Sequence, residues 1–323
     1  MPRKRTSAAM LCIAMLLSGC GVPAAASQTP SVDLKSVAVY GSSEPGSGQQ
    51  AASGPVSAQV KILEASFHSS EAEGANGVLI DLSSTADGYV AVSAVSENRL
   101  KFQVRFGEET YNYNLASDGT ASIFPLSLGS GEYRFRVMEN VVESKYAELY
   151  ATSCSVTLRD EFQPFLRPSD YVPYSGSSRC VAKAAELTAN CTTDSEKVAA
   201  VYTYICDTVR YDHQKASTVQ SGYLPDPDET MATGLGICFD YAALAAAMLR
   251  SLGIPTREIF GYVSPNDVYH AWNMFYSAEQ GWVTVSFEMR ANDWNRMDAT
   301  FAANGADDTF IGDGGNYTDL YCY

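Results

Sequence analysis

Three short segments of this chain carry side chains suited to nucleophilic chemistry. The first, Gly236-Ile237-Cys238-Phe239-Asp240-Tyr241, sets a thiol where a glycine-containing loop gives way to a helical pattern. At such a junction, unpaired N–H groups and the helix dipole favour a thiolate and can hold an oxyanion. Glycine there lets a substrate carbonyl come close. The second, Tyr269-His270-Ala271-Trp272-Asn273, lies in a run that reads as a strand, and its histidine can take the thiol proton. The third, Trp294-Asn295-Arg296-Met297-Asp298-Ala299-Thr300, offers Asp298 to fix the imidazole tautomer and stabilise its charged form. Taken singly, each has a plain structural reading: a buried cysteine, a hydrogen-bonded strand histidine, a turn aspartate. In that order they form a Cys-His-Asp set, far more specific together than apart.

The pattern extends well beyond the three residues. Gly236-x-Cys238-x-Asp240-Tyr241-Ala242 runs on through Met248-Leu249-Arg250 and Gly253-Ile254-Pro255 to Gly261-Tyr262. His270-Ala271-Trp272 and Trp294-x3-Asp298-x-Thr300 follow. This resembles the core of the transglutaminase-like superfamily over about residues 195 to 304. The resemblance implies a papain-like fold, with Cys238 as nucleophile, His270 as general base and acid, and Asp298 as the orienting group. Asp293 lacks the threonine that the pattern places two residues on, and Asp267 precedes His270. The insertion from Ser286 to Asp293 lengthens the gap before Asp298. The implied reaction is attack on an amide carbonyl through a Cys238 thioester, resolved by an amine or by water. A second oxyanion donor is expected from upstream; Tyr211 is a candidate, against plain core packing. A cysteine peptidase of the same fold is an alternative, and so is a non-catalytic surface binding or scaffold protein.

The flanking elements must hold these residues in place. Thr193-x-x-Glu196 is a capping-box signal, followed by Val198, Val201, Tyr202 and Ile205 at helical spacing. Tyr223 to Gly236 reads as a loop. Cys238 to Leu252 reads as an Ala-rich helix that buries Ala242, Ala245, Met248, Leu249 and Leu252 and is closed by Gly253. Strands are expected at 257–263, 269–276 and 281–287. Helix first and strands after define an α+β domain over 179–323. Before it, 56–160 alternates apolar and polar residues in short runs such as Lys101-Phe-Gln-Val-Arg-Phe, which predicts an antiparallel β-sandwich-like domain. His68 in that region has no evident partner. Residues 161–178 form a connector rich in proline and aromatic residues.

Residues 1–19 have a basic start, Arg3-Lys4-Arg5, and an apolar run too short to span a bilayer comfortably. Leu17-Ser18-Gly19-Cys20 resembles the lipobox of bacterial lipoproteins. The implied product is acylated at Cys20 and anchored to the membrane outside the cytoplasm, with 20–55 as a flexible linker. A protein or peptide substrate at the cell surface follows from that placement. A formal charge of −15 over 323 residues argues against nucleic-acid partners. The three histidines and the cysteine spacings suggest no metal site, and no cofactor is expected. Cys180 and Cys191 are close enough in sequence for a loop-closing disulfide. Asp226, Asp228 and Glu229 lack EF-hand spacing and read as a solvated acidic loop.

Overall fold

The computed structural model describes residues 62–263, 268–278, 281–284 and 317–323. The expected signal segment, Cys20, the linker, Asp267, Asp293 and Asp298 lie outside these residues. Among the described residues no helix is long and apolar enough to cross a membrane.

Seven strands come first: β1 (Val78–Asp81), β2 (Tyr89–Ala94), β3 (Leu100–Phe106), β4 (Glu109–Leu115), β5 (Ser122–Pro125), β6 (Gly131–Val142) and β7 (Lys145–Val156). They form two antiparallel sheets, ordered β1-β2-β5 and β4-β3-β6-β7. The alternation read in β3 is realised directly. Leu100, Phe102 and Val104 are buried, while Gln103 bonds outward to Asn112 and to Arg136. Val78, Val90 and Phe124 of one sheet share an apolar cluster with Phe102, Tyr113 and Phe135 of the other. That cluster does not stop at residue 160. It takes in Ala242, Phe260, Ala271 and Tyr323, so the first sheets and the region of the cysteine are packed on one another.

His68 does have a partner. Its Nδ1 lies 3.1 Å from Asp81 Oδ2, and its backbone N–H donates to the same oxygen at 2.7 Å. The sequence does not show the pairing because the two residues stand thirteen positions apart and are brought together only by the fold.

The connector is docked. Phe165 is buried against Trp282, Phe162 packs on Tyr276, and Tyr171 stacks on Tyr323. Arg167 donates to the carbonyls of Asp87 and Glu64 and pairs with the Asp87 carboxylate.

Five helices and six further strands are described in the remainder. The helices are α1 (Arg179–Leu187), α2 (Asp194–Thr208), α3 (His213–Thr218), α4 (Pro227–Thr233) and α5 (Cys238–Ser251). The strands are β8 (Arg210–Tyr211), β9 (Leu235–Gly236), β10 (Thr256–Val263), β11 (Val268–Ser277), β12 (Gly281–Thr284) and β13 (Tyr317–Cys322). The last four make one sheet in the order β12-β11-β10-β13. The expected capping box holds α2, with Thr193 Oγ1 accepting from the Glu196 N–H and Glu196 accepting from the Thr193 N–H. Helix α5 is buried on every side from Asp240 to Ser251, not on one stripe, because its alanines let elements close in all round. Gly253, at φ 79, turns the chain back into β10.

Three expectations are corrected. The loop before Cys238 contains α4, whose Asp226 caps the N–H groups of Asp228 and Glu229 behind Pro227 at the first turn. The acidic residues there are therefore partly structural: Asp228 also accepts from the Arg179 and Cys180 N–H groups and caps α1. Cys180 and Cys191 are not joined; the described cysteines form no disulfide.

Candidate active site

Cys238 is placed by a tight local build. Gly234 ends α4 in the left-handed region at φ 65. Strand β9 then pairs with β8 in parallel, setting Leu235 opposite Arg210 and Gly236 opposite Tyr211. A Cβ on Gly236 would lie 2.8 Å from Asp240 Cβ, so glycine is required by packing. Ile237 is extended, and α5 opens at Cys238, whose side chain is partly buried. The first-turn N–H groups of a helix have no carbonyl partners within it, so they face whatever approaches the thiol.

Asp240, fully buried in the first turn, organises this junction. Its Oδ2 accepts from the Ile237 N–H at 2.7 Å and pairs with Lys215 Nζ at 2.7 Å. Its Oδ1 accepts from the Tyr223 hydroxyl. Burial and the Asp240 carboxylate push the Tyr223 hydroxyl well above the ordinary tyrosine range. Lys215 also lies 4.3 Å above the Tyr223 ring. A cleft of about 340 Å³ opens beside this group, lined by Asp212, Lys215, Tyr223, Asp226 and Glu229 among others. Sequence reasoning gave none of the three organising residues a role. Asp240 carried a signal, since an acidic residue at the third helical position can reach back to the cap N–H.

The histidine strand is fixed on α5 by one hydrogen bond. Asn273 Nδ2 donates to the Ala242 carbonyl at 3.1 Å, and its Oδ1 accepts from Tyr202. Helix α5 and β11 run the same way, because β10 turns back after α5 and β11 pairs antiparallel to β10. Cys238 precedes Ala242 by one turn, about 6 Å along the axis. Ala271 precedes Asn273 by two residues, about 7 Å along the strand. The thiol is thus level with Ala271, and both belong to one apolar cluster. His270 is the neighbouring residue. It is 3% exposed, sits opposite Gly261 in the register, and its ring runs nearly parallel to Trp272 at 6.3 Å. It therefore shares the Trp272 side of β11, while Ala271 and Asn273 face α5. Asp319 on β13 lies in the same cross-strand row, with Gly261 between. Asp298 lies outside the described residues. Tyr211 stands beside Gly236 and also packs on the helical core, so both of its readings keep a structural basis.

Two charged side chains are buried between α5 and β10, Arg250 from the end of the helix and Glu258 from the strand. Arg250 donates to the carbonyls of Thr256, Arg167 and Tyr323. Glu258, opposite Asn273, is fully buried, and neither carboxylate oxygen has a hydrogen-bond partner. Burial pushes its carboxyl well above the usual range, with Arg250 opposing and Cys238 and Asp240 adding to the shift. The strand's apolar alternation concealed both its depth and its lack of partners. Among the described residues, no group of three or more His, Cys, Asp or Glu side chains is arranged to hold a metal.

Residues 181–287 match the family model of the transglutaminase-like superfamily, so the chain carries a transglutaminase-like domain over that range. YebA of Bacillus subtilis (strain 168), an uncharacterised protein, is 27% identical over 51% of this chain. The chain spans a quarter of that relative's length. A provisionally assigned cysteine protease from Cytophaga hutchinsonii overlaps 72% of this chain and 73% of its own, at 17% identity and a TM-score of 0.38. A TGase structure overlaps 48% of this chain and 47% of its own, at 16% identity and a TM-score of 0.28. Overlaps this loose add nothing to what the site's own residues say.

Proposed function

We propose that this protein is a thiol acyl-transfer enzyme that acts on amide bonds of surface or cell-wall polypeptides. The observation that carries the reading is the seating of Cys238 at the first turn of α5, above Gly236 and level with the strand position next to His270. The Cys238 sulfur attacks the amide carbonyl, and the C–N bond breaks as the S–C bond forms. His270 is the base that takes the thiol proton and delivers it to the leaving amine, which requires its ring to turn from the Trp272 side of β11 toward the start of α5, and Asp298 orients the imidazole. Helix-start N–H groups hold the oxyanion, with Tyr211 as the upstream contributor. A second amine attacks the thioester to form a new amide, or water attacks it to release an acid. Anchorage through an acylated Cys20 would place this chemistry outside the cytoplasm.

The test sets wild type against Cys238→Ala in a cell-surface protein extract supplemented with a labelled primary amine. Label incorporated only by wild type is the expected result. New N-termini produced only by wild type assign hydrolysis at the same thiol. If Cys238 alkylates no faster than a model thiol near pH 7, and neither product forms, the reading fails.

A further inference from the structure

The sheet that carries His270 extends past the start of α5, and what it exposes there is aromatic. Residues 258, 260 and 262 of β10 and 269, 271 and 273 of β11 lie on the face toward α5, because side chains alternate along a strand. Helix α5 covers Glu258, Phe260, Ala271 and Asn273. Level with Cys238 the helix ends, and the next cross-strand pair, Tyr262 and Tyr269, is left uncovered. These side chains are 41% and 53% exposed. Large apolar side chains left open in a cluster call for an explanation. Their rings lie 5.6 Å apart at 67°, forming a notch in place of a flat platform. The floor of the notch is Phe260, 6.2 Å from Tyr269, and Phe260 meets Phe239 edge-on at 4.9 Å. Phe239 directly follows the thiol.

Glu258, on this same face, has no hydrogen-bond partner but is buried beneath α5, and the other charges around the face are turned away or engaged. Lys215 and Asp240 neutralise each other behind Phe239. Arg257 is stacked over Trp282, 3.8 Å away, on the opposite face of the sheet, and burial raises the Asp319 carboxyl against the opposing charge of that same arginine. Glu109 stands farther off, beside Tyr321. A wall of rings without a facing charge favours an uncharged apolar group, and tyrosines suit this role because they offer large area with few rotatable bonds. The 67° angle fits one branched or aromatic side chain better than a sugar ring, which stacks on a flat surface.

We infer that Tyr262 and Tyr269, with Phe260 and Phe239, form the substrate subsite beside Cys238 and take an uncharged apolar side chain of the polypeptide next to the attacked amide. This deepens the acyl-transfer reading and rests on it. The test uses hexapeptides that carry glutamine preceded by leucine, glycine, aspartate or lysine. Their binding to the full chain carrying Cys238→Ser is followed by ligand-observed NMR, which needs no turnover. The leucine peptide is expected to bind about tenfold tighter than the others, the scale on which a hydrophobic pocket discriminates. That preference should fall below about twofold in Tyr269→Ala and return in Tyr269→Phe, which keeps the ring. Tyr262→Ala provides the same reading should Tyr269→Ala fail to fold. Equal binding of all four peptides, or a preference that survives both alanine substitutions, overturns the subsite. So does displacement of the leucine peptide by an N-acetylglucosamine oligomer, which would make the notch a glycan site. A leucine preference without turnover of any peptide by wild type would instead leave the subsite standing and remove the acyl-transfer reading.

Discussion

Asp81 and Glu258 are both carboxylates shut away from solvent, one in the sheets near the N-terminus and one beneath α5, and their surroundings treat them oppositely. Asp81 accepts from the backbone N–H groups of His68 and Ser83, from the Ser83 hydroxyl and from the His68 ring. Burial works against its charge, but these donors outweigh it and hold the carboxyl below the ordinary range. Glu258 has no donor at all, and burial holds it above that range. The same division runs through the two regions. In the sheets of β1 to β7, buried side chains are mostly apolar. Around α5, Asp240 is buried in the thiol's own turn, His270 and Asn273 on β11, Glu258 on β10, and Arg250 at the far end of the helix. Polar groups in a core cost stability unless they are paired. Their concentration around α5 fits a site built for chemistry and sets it apart from a region built for packing.

The largest effect is expected where a buried charge is fully paired. Asp240→Ala leaves the Ile237 N–H without its acceptor and strips Lys215 of its counter-ion at the helix start. The loss should be about 3–4 kcal/mol, the range for breaking a buried ion pair, with most of the acyl-transfer activity lost as the Cys238 turn loosens. Urea denaturation measures the first and amine incorporation the second. A loss under about 1 kcal/mol would mean that Asp240 does not organise the junction, and the contrast between the regions would weaken.

Much of this could be read from the residues because local rules and tertiary outcome agreed. The period-two runs became strands with the expected side buried. Thr193 and Glu196 capped α2, Gly253 closed α5, and the Gly-x-Cys junction produced the helix start. What could not be read depends on partners distant in sequence. His68 needs Asp81, Tyr223 needs Asp240, and Glu258 owes its isolation to a helix, a strand and Arg250 converging on it. Alanine was ambiguous for another reason: its small side chain suits an exposed helix face and a crowded core alike, so the full burial of α5 had no signature. The two short helices before Cys238 did leave marks, Asp212 ahead of His213 and Asp226-Pro227, which the glycines and prolines nearby obscured.

Glu258→Gln probes the opposite pole of the comparison. A carboxyl whose pKa is raised in the folded state stabilises the fold fully below its unfolded value, about 4.3, and loses that contribution as pH rises toward the folded value. Glutamine has no such dependence. The variant and wild type should therefore be close near pH 4, and the variant should gain by about 2 kcal/mol between pH 5 and pH 7, within the limit of about 1.4 kcal/mol per pH unit for one group. Denaturation midpoints at a series of pH values give the result. A pH-independent difference would show that Glu258 titrates normally.

Asp81→Asn should give the smaller effect and the reverse slope. Asp81 accepts from His68 at Oδ2 and from Ser83 at Oδ1, so asparagine, with one acceptor oxygen, can serve only one of these N–H groups and loses the charge that the four donors favour; about 1–2 kcal/mol is expected at pH 7. Because the carboxyl is lowered in the folded state, its contribution is fully present above the ordinary carboxylate value of about 4 and disappears as pH falls through the folded value. The gap between wild type and Asp81→Asn should therefore close on acidification, whereas the Glu258→Gln gap opens on alkalinisation. Opposite slopes from two buried carboxylates in one chain would locate the difference in their donors and not in their depth. Parallel slopes would mean that burial alone governs both, and that the crowding of polar groups around α5 has no electrostatic consequence of its own.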